Sequence, residues 1–436
     1  MKVDRAFLIF CAVLGLSFPL PTIHAVVCGG ESFCSCGDTL TSSRNFSEES
    51  LSGCRYNGLT INTSNVILDC GGGSIKGMHD SSLTGIAVFA DNVTLINCIV
   101  ENFHCGICAY GSSNSKIICN SVHFNRALGI GLYENSSSNL ILNNSASFNG
   151  WDGIYVENSS DNFIIYNSAQ LNTNDGIHLF HNARWNYVAN NFLEENGAHS
   201  LASTLCQNYI VDESNFGIEG KTIKYVQNSN RVLIGSTQAY SEIIFCNVTD
   251  SIISNVTMDN GPQKTDGILL VESSRNLIVN SSFNNVRAAV YLYSSSQNNF
   301  IINNTMKNSD YGIRMVLNSS KNRAEGNNLA QNDFDFAAES SENNYFLNNT
   351  LEGRTFSFSY TGDIEFNSSN GDLAYHGDID IFDDTGNPSF FAKHPHEWNQ
   401  LIAIYSAYFI NGAIFQWTQP YLLAIFLEDF TGVNMY

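Results

Sequence analysis

The stretch GIGLYENSSSNLILNN, residues 129–144, shows the pattern that decides the fold. It contains a Gly-Ile pair, short runs in which apolar and polar residues alternate, and a pair of Asn at its end. Gly-Ile pairs recur 21 to 24 residues apart, at positions 85, 106, 129, 153 and 176. A second series with similar spacing runs through Gly267-Ile268, Ala289-Val290, Gly312-Ile313 and Asp335-Phe336. The chain is therefore built from an internal repeat.

Each repeat predicts three short β-strands. Runs of three to five alternating residues are too short for helices and suit strands with one buried face. Asn and Gly separate the runs, and both tolerate the left-handed backbone that a sharp corner needs. One coil cannot bury its own apolar side chains, so coils must stack, with Ile130, Ile154 and Ile177 in one interior row. We predict an all-β parallel β-helix solenoid of about thirteen coils over residues 59–352, roughly 60 Å long at about 4.8 Å per coil.

Three further segments resemble a known group of proteins: CSCGDTL (34–40), NVILDCGG (65–72) and GKTIKYV (220–226). Together with the repeats, over residues 28–350, they are similar to right-handed parallel β-helix proteins of the pectin-lyase-like class. The resemblance is to the NosD-like, carbohydrate-binding and sugar-hydrolysis (CASH) repeat proteins that many archaea and some bacteria export. It implies a right-handed coil but does not select a function, because this fold hosts lyases, hydrolases, epimerases and plain binding scaffolds.

The two ends of the chain lie outside the repeats. Residues 1–25 have the basic start, apolar stretch and small residue before the cut that are typical of a secretory signal peptide. We predict a Cys-rich cap at residues 26–58, an irregular insert at about 197–265, and a cap or anchor at 353–436. Residues 400–427 contain no charged side chain and are long enough to span a bilayer, although Pro420 and several polar residues interrupt them. A membrane anchor and a buried or partner-docking segment both remain open.

Cysteines and glycosylation sequons agree with export. Eleven of the twelve cysteines follow residue 25 and are disulfide candidates in an oxidising compartment: Cys28, Cys34, Cys36, Cys54, Cys70, Cys98, Cys105, Cys108, Cys119, Cys206 and Cys246. The odd number leaves at least one thiol unpaired, and Cys206 and Cys246 would pair only if the insert departs from regular stacking. Thirteen Asn-x-Ser/Thr sequons are glycosylation candidates: Asn45, Asn62, Asn92, Asn135, Asn143, Asn158, Asn247, Asn255, Asn280, Asn303, Asn318, Asn348 and Asn367. In a chain this rich in Asn and Ser, many sequons also arise from composition alone.

Strand alternation predicts an exposed aromatic stripe. If Ile130, Ile154 and Ile177 point inward, the neighbouring outward positions hold aromatic residues in successive coils. These candidate ligand-binding residues are Phe89, Tyr110, Tyr133, Tyr155, Phe180, Tyr291 and Tyr293. They could stack on the apolar faces of sugar rings, and the resemblance implies a polysaccharide groove over this strand. The alternative is that aromatic residues sit on a pleated surface for packing reasons alone.

Acidic residues adjoin this stripe. Asp152 and Asp175 each precede a Gly-Ile pair in adjacent coils, so they should lie about one strand spacing apart, near Glu157 and His178. Two carboxylates this close either raise one pKa, as acid-base catalysis requires, or share a cation such as Ca²⁺. The alternative is that Asp before Gly caps a turn through a hydrogen bond to the backbone.

A complete catalytic set is missing from the coils. Residues 172–176, NTNDG, approximate the Asn-Thr-Asp-Gly motif of polygalacturonase-type glycosidases, but an extra Asn splits it. The companion motifs of those enzymes are absent from the coils, and so is the Asp-Pro-His-type motif of epimerases with this fold. Cys105 and Cys108 form a CxxC pair that would suit Cu(I) or Zn, but an exported chain favours disulfides or core packing for its cysteines.

The net charge of the chain excludes one class of binding partner. The chain has 41 acidic and 20 basic residues, a formal net charge of -21, and this excess opposes binding to phosphate backbones, so we expect no nucleic-acid partner. We therefore predict a secreted, cell-surface or envelope scaffold that binds carbohydrate or a cell-surface protein without catalysis. The alternatives are a polysaccharide-active glycosidase, lyase or epimerase with its site near Asp152, Asp175 and His178, and a NosD-like copper-handling accessory protein.

Overall fold

The computed structural model describes residues 27–352, except for 47–48, 79–81, 204–205, 207–208, 237, 262–263 and 348, and short strands up to residue 375. The predicted signal peptide, the segment 400–427, and Asn348 and Asn367 lie outside the described residues. Among the described residues, no helix has the length and apolar composition that crossing a bilayer would take.

The chain winds into an all-β parallel solenoid of about 13 turns, as predicted. Each coil visits three sheets in the same order. The first sheet comprises, before residue 204, Val27–Cys28, Asp38–Leu40, Leu59–Ile61, Thr84–Val88, Cys105–Tyr110, Leu128–Tyr133, Ile154–Glu157, Ile177–Phe180 and Leu201–Ser203. After residue 221 it comprises Thr222–Asn230, Tyr240–Thr249, Ile268–Val271, Ala288–Tyr293, Tyr311–Val316, Phe334–Glu339 and Phe356–Ser359.

The second sheet forms the next side of each coil. Its strands before residue 222 are Arg44–Asn45, Ile67–Asp69, Thr94–Ile96, Lys116–Ile118, Leu140–Leu142, Phe163–Ile165, Tyr187–Ala189 and Ile210–Val211. Its later strands are Leu233–Ile234, Ile252–Ser254, Leu277–Val279, Phe300–Ile302, Arg323–Glu325, Asn344–Leu347 and Ile364–Glu365.

The third sheet forms the last side of each coil, and in several coils a single bridge replaces its strand. Its early strands are Leu51–Cys54, Ser74–Gly77, Ile99–Glu101 and Ser121–His123, and single bridges through Ser145, Ser168 and Phe192 continue it to Phe216. Its later strands are Thr257–Asp259, Ser282–Asn284, Thr305–Lys307, Asn328–Ala330, Thr350–Glu352 and Ala374–Tyr375. We call the turns between sheets the first corner (first to second sheet), second corner (second to third) and third corner (third back to first).

The interior rows form as expected. Ile130, Ile154 and Ile177 are direct parallel partners in consecutive coils, and each is fully buried. Because identical positions repeat in every coil, their apolar side chains stack into continuous columns and are removed from water only when the next coil is in place.

Asparagines at the second corner have two different roles. In the pair Asn143-Asn144, Asn143 is exposed and has φ 54°, the left-handed conformation that a corner needs. Asn144 is buried, and its side-chain oxygen accepts the backbone N–H of Asn120 at 2.9 Å, while its amide reaches Asn167 Oδ1 at 3.0 Å in the next coil. Buried amide ladders of this kind satisfy corner backbone groups that strand pairing leaves open.

The glycines of the Gly-Ile pairs do not serve as left-handed turn residues, which corrects the sequence-based explanation for these positions. Gly153 and Gly176 do not have positive φ. A Cβ atom at Gly176 would lie 2.6 Å from the carbonyl oxygen of Ser200 in the next coil. At Gly176 the backbones of successive coils approach closely enough that a side chain would require the neighbouring coil to shift.

Strand pairing on the first sheet is interrupted between Ser203 and Thr222. A short antiparallel bridge, Phe216 to Thr222, and a 3-10 turn at Ile218–Gly220 occupy this interval, inside the predicted irregular insert. The segment carrying Cys206 packs on the outer side of the following first-sheet strands, because Cys206 is disulfide-bonded to Cys246 and its sulfur contacts the carbonyl of Val271 at 3.2 Å. The insert thus departs from regular stacking, which lets these two cysteines pair.

Five disulfides form among the described cysteines: Cys28–Cys34, Cys36–Cys54, Cys70–Cys98, Cys105–Cys108 and Cys206–Cys246. Cys119, a predicted disulfide candidate, is instead a free, exposed thiol. It occupies a left-handed corner position with φ 55°, and Cys98 in the preceding coil is bonded to Cys70 instead.

Candidate functional site

Three polar residues occupy equivalent third-corner positions in consecutive coils. Asp152, Asp175 and His199 each lie two residues before a buried partner in the first sheet, because Ile154 pairs with Ile177 and Ile177 with Leu201. Both carboxylates are almost completely buried. The repeat therefore brings Asp152 and Asp175 together, in the arrangement that the sequence predicted.

His178 lies between the two carboxylates. Its Nδ1 is 3.2 Å from Asp152 Oδ2 and 3.2 Å from Asp175 Oδ2. Asn174 donates to both carboxylates, at 2.7 Å to Asp152 Oδ1 and 2.9 Å to Asp175 Oδ2. In the neutral tautomer that donates from Nδ1 to the carboxylates, Nε2 carries the lone pair. Nε2 is buried and has no hydrogen-bond partner among the described residues.

The same three residues could hold a cation. One ligand atom from each of Asp152, Asp175 and His178 lies within 4.8 Å of the others. A set with one imidazole nitrogen suits Zn²⁺ or a similar transition ion better than Ca²⁺, which prefers oxygen ligands throughout.

The network continues across the irregular segment. His199 Nδ1 lies 2.7 Å from Asp175 Oδ1, and His199 Nε2 lies 3.0 Å from Asp266 Oδ2. Arg287 donates two hydrogen bonds to Asp266, at 3.0 and 2.7 Å, and its Nη2 lies 2.8 Å from His199 Nε2. A chain of alternating acidic and basic groups therefore joins the two parts of the solenoid.

Burial and charge shift the pKa values of this network. Burial alone would lower the pKa of His199, but the charge of Asp175, its hydrogen-bonded partner, raises it to about 10. Burial opposes ionisation of Asp266, but Arg287 and His199 lower its pKa to about 2. The pKa of Asp175 is also lowered, against the effect of burial, by the charge of His199. His199, Asp266 and Arg287 are thus all charged at neutral pH.

Glu242 is the exception in this region. Its side chain is fully buried, with one oxygen accepting the backbone N–H of Ser200 at 3.2 Å and Oε1 unpartnered among the described residues. Burial raises the pKa of Glu242 to about 8. Glu242 is therefore mainly a neutral acid at pH 7.

The predicted aromatic stripe is a continuous ridge over five coils. The rings of Phe89 and Tyr110 stack at 5.2 Å, and those of Tyr110 and Tyr133 at 5.3 Å. The next coil has Glu157 at the corresponding position, and Tyr155 from the adjacent row fills the gap, 5.5 Å from Tyr133 and 6.1 Å from Phe180. We call these five residues, Phe89, Tyr110, Tyr133, Tyr155 and Phe180, the aromatic ridge.

The ridge differs from the expectation in two respects. Its ring faces cover one another along the coil axis, so it presents ring edges and hydroxyl groups rather than free faces. Tyr291 does not belong to an exposed stripe, since it is 6% exposed and lies beneath Arg287 and Arg314, whose guanidinium carbons are 5.5 and 5.0 Å from its ring centroid. Tyr293 is half-buried beside it, edge-on to Tyr291 at 5.8 Å.

Glu157 takes part in the ridge rather than in the network, because it accepts a hydrogen bond from the Tyr155 hydroxyl at 3.2 Å. That contact, together with burial as the larger effect, raises the pKa of Tyr155.

Sequence reasoning missed four members of the network: His199, Glu242, Asp266 and Arg287. One signal was available, since the triplet Asp-Gly-Ile occurs at 152–154, 175–177 and 266–268. His199 was hidden because its coil has Ser200-Leu201 where the others have Gly-Ile. Glu242 and Arg287 have no equivalents in the other coils, and only the three-dimensional path of the irregular segment brings them here.

Two protein families match successive parts of the chain. Residues 39–193 match the right handed beta helix region, and residues 199–377 match the periplasmic copper-binding protein (NosD). The two matches meet at the irregular segment. No curated protein is similar enough in sequence to be matched with this chain.

Several solved structures are similar to this chain at low identity. The periplasmic alginate epimerase AlgG has 13% identity over 76% of each chain, with a TM-score of 0.29. The catalytic domain of a GH87 α-1,3-glucanase has 15% identity, covering 79% of this chain and 62% of its own, with a TM-score of 0.27. The Azotobacter vinelandii mannuronan C-5 epimerase AlgE4 A-module has 12% identity over 79% and 90% of the chains, with a TM-score of 0.24. Similarities this low carry no functional conclusion. The parallel solenoid and the two matched segments are consistent with a right-handed β-helix protein that is similar to the NosD family in its second half.

Proposed function

We propose that this protein is an exported β-helix that binds a polysaccharide chain along the aromatic ridge. The observation that carries the proposal is the continuity of the ridge over five coils, ending beside the network of Asp152, Asp175 and His178. At about 4.8 Å per coil, the ridge is roughly 19 Å long, which is enough to contact several sugar rings in a row.

The chemistry of the ridge suits carbohydrate. Aromatic rings that are apolar in the body and hydroxylated at the edge combine packing with hydrogen bonding. Tyr110, Tyr133 and Tyr155 are half-buried, so their positions are fixed before a ligand arrives. A ligand that meets a rigid surface loses less conformational entropy in binding. Sugar hydroxyl groups both donate and accept hydrogen bonds, as the tyrosine hydroxyls do.

Binding can be tested by isothermal titration with alginate, polygalacturonate, α-1,3-glucan and dextran. The triple variant Y110F/Y133F/Y155F keeps the stacked rings and removes only the hydroxyl groups. At about 0.5–1.5 kcal/mol for each of the hydrogen bonds lost, we expect a loss of affinity of at least about 10-fold for the polysaccharide that the parent binds. The variant Y166F/Y187F, which removes hydroxyl groups from the second-sheet side, should bind as the parent does. Equal affinity of both variants, or no binding of any polysaccharide by the parent, would contradict the proposal.

A second candidate function is acid-base catalysis on the bound chain, with His178 as the base. The observation that favours it is the orientation of His178, whose Nδ1 contacts two carboxylates and whose Nε2 is free of hydrogen bonds among the described residues. In this role a side-chain movement would have to expose the buried Nε2, which would then accept a proton from the sugar, and Asp152 and Asp175 would stabilise the resulting imidazolium. The Tyr155 ring is close, 5.3 Å from the His178 ring centroid.

Turnover on the same four polysaccharides distinguishes this candidate from simple binding. Double-bond absorbance detects a lyase, reducing ends a hydrolase, and NMR of the product an epimerase. Under the catalytic hypothesis H178Q and D152N lose at least about 100-fold in rate, while H123Q, a change on the third sheet, retains the parent rate. Absence of turnover by the parent would leave binding as the function, and activity that survives in H178Q would exclude His178 as the base.

Copper handling, which the description of the second matched family raises, fits the described residues poorly. Met258, Met306 and Met315 are buried in the coil interior, and Cys206 and Cys246 are joined in a disulfide. His199 has both ring nitrogens in contact with neighbouring groups, and its raised pKa keeps it protonated, so it offers no lone pair to a metal. Within the described part of residues 199–377 we therefore derive no copper site.

A further inference from the structure

The glycosylation sequons are distributed unevenly over the three corners. All eleven sequon asparagines that the structure describes are exposed. Those at the first corner are Asn62, Asn92, Asn135, Asn158, Asn247 and Asn318. Those at the end of second-sheet strands, at the second corner, are Asn45, Asn143, Asn255, Asn280 and Asn303. Among the described residues, none lies at the third corner.

The third corner contains asparagines, although none of them is part of a glycosylation sequon among the described residues. Asn102, Asn285 and Asn308 occupy left-handed positions there, with φ of 64°, 50° and 53°. The residues two positions later are His104, Arg287 and Asp310, so no sequon is completed. At the second corner, left-handed Asn143, Asn255, Asn280 and Asn303 are followed by Ser or Thr at that position, whereas Asn97 and Asn190 are not.

Three consecutive coils place apolar residues at the left-handed position of the third corner. Phe124, Phe148 and Leu171 have φ of 56°, 58° and 53°. A bulky residue in this conformation costs about 1–2 kcal/mol relative to glycine, and asparagine adopts it more readily. Backbone strain that persists over three coils calls for a compensating use of these side chains. Phe124 and Phe148 are about half exposed, with ring centroids 5.5 Å apart.

The third corner is also the edge nearest the candidate site. Trp151, which is 52% exposed, directly precedes Asp152, and Asn174, which bonds both carboxylates, lies three residues after Leu171. On the opposite edge of the first sheet, Asn135 and Asn158 closely follow ridge positions. Glycans there would form a wall along one side of the ridge and leave the third corner open.

We infer that the chain carries N-linked glycans on the first and second corners, and that the bare third corner, around Phe148, Trp151 and Leu171, is the edge over which a polysaccharide reaches the ridge. The second part of this inference rests on the proposed function, whereas the first does not. Exposed aromatic residues at this edge provide the free ring faces that the stacked ridge lacks.

Two single substitutions in the same coil test the inference. L171N creates a sequon at the third corner, because Thr173 lies two positions later, and Y166N creates one at the second corner, where Ser168 lies two positions later. Both replace a bulky left-handed residue with one that suits that conformation, so both variants should fold. The double variant L171N/T173A keeps the new side chain but lacks the sequon, and it controls for the side-chain change itself.

The full chain is expressed in an exporting host with N-glycosylation, and occupied sites are mapped by glycopeptide mass spectrometry. We expect glycans at first- and second-corner sequons and at the new site of each variant. Titration with the polysaccharide panel should then show at least tenfold weaker binding by glycosylated L171N than by L171N/T173A, and parent affinity for Y166N.

The outcomes separate the two parts of the inference. Unoccupied first- and second-corner sequons in a secreted, folded chain would overturn the glycan arrangement. Unchanged affinity of glycosylated L171N, or a folded L171N that the transferase leaves unmodified, would overturn the open edge. If the parent binds none of the polysaccharides, the proposed function and the open edge fail together, but the map of occupied sites still decides the glycan arrangement.

Discussion

Glu242 is a buried acid whose ionisation opposes folding. It faces His199, Asp266 and Arg287, and its pKa is raised to about 8 from an ordinary value of 4.5. Above pH 4.5 the unfolded chain loses this proton while the folded chain keeps it, so the unfolded state is favoured progressively until pH 8. The stabilising contribution is therefore complete below pH 4.5 and is lost as the pH rises to about 8, by up to about 1.4 kcal/mol per pH unit.

Replacing Glu242 with Gln keeps the shape of the neutral acid and removes the titration. We expect the free energy of unfolding of E242Q to depend less on pH between about 5 and 8 than that of the parent, and to exceed it at pH 8. Denaturant unfolding at a series of pH values measures this. E342Q, at an exposed position, should follow the parent curve. A parent-like pH dependence in E242Q would show that Glu242 ionises normally. His199 adds a separate loss between pH 6.5 and 10, because its folded pKa is also raised.

For individual residues of the candidate site, the sequence predicted some positions and not others. Period and strand alternation were enough to place Asp152, Asp175 and His178 together, because they lie in regular coils with equal spacing. The same rules could not show that His178 Nδ1 would sit between both carboxylates, which depends on side-chain rotamers. They also could not show that Tyr291 would be buried, since its outward position is covered by arginine side chains from the same and the following coil.

Among the elements, the buried asparagine ladder beside the second corner holds successive coils in register. Asn191 accepts hydrogen bonds from the backbone and side chain of Asn167 at 2.9 and 3.1 Å. Its own amide donates to Ile164 O at 2.8 Å and to Asn215 Oδ1 at 2.9 Å. The ladder therefore links strands in several coils through groups that would otherwise be buried without partners.

Asn190 and Asn191 allow a matched test of this ladder. N191A leaves buried donors and acceptors in two coils without partners, so we expect a loss of about 3–5 kcal/mol in the free energy of unfolding. N190G changes an exposed residue with φ 55°, a conformation that glycine adopts freely, and should alter stability by less than about 1 kcal/mol. Chemical denaturation measures the free energy of unfolding of both variants. If the two variants lose similar amounts of stability, the ladder contributes little.

The sequence predicted the three-strand coil and its interior rows because the repeat is nearly exact in residues 85–203 and 267–347. It did not predict the ladder, since buried and corner asparagines look alike in sequence: Asn143 and Asn144 are adjacent and identical. The interruption between Ser203 and Thr222 has no repeat to extend, so its path, the Cys206–Cys246 disulfide and the contact of His199 with Asp266 required coordinates.

In the molecule as a whole, the stacked architecture implies that a destabilising substitution affects mainly the coils near it. Each coil contacts only its neighbours, so stability is approximately the sum of coil and interface contributions along the axis. Strand pairing on the first sheet is interrupted between Ser203 and Thr222, and the two parts are joined by a shared apolar cluster, by the contact of His199 with Asp266 and by the Cys206–Cys246 disulfide. We therefore expect the parts to lose structure with different free energies rather than as a single unit.

Truncating Ile154 tests this expectation. Its side chain is fully buried between Ile130 and Ile177, and I154A should remove about 2–5 kcal/mol from the local opening free energy. In hydrogen exchange, amides of Leu128–Tyr133 and Ile177–Phe180 should then exchange faster, while those of Leu277–Val279 keep the parent rate. I301A, in the second part, should give the reverse pattern, because Ile301 occupies an equally buried interior row there. Equal acceleration in both parts by either variant would instead show that the charged network couples the whole solenoid into one cooperative unit.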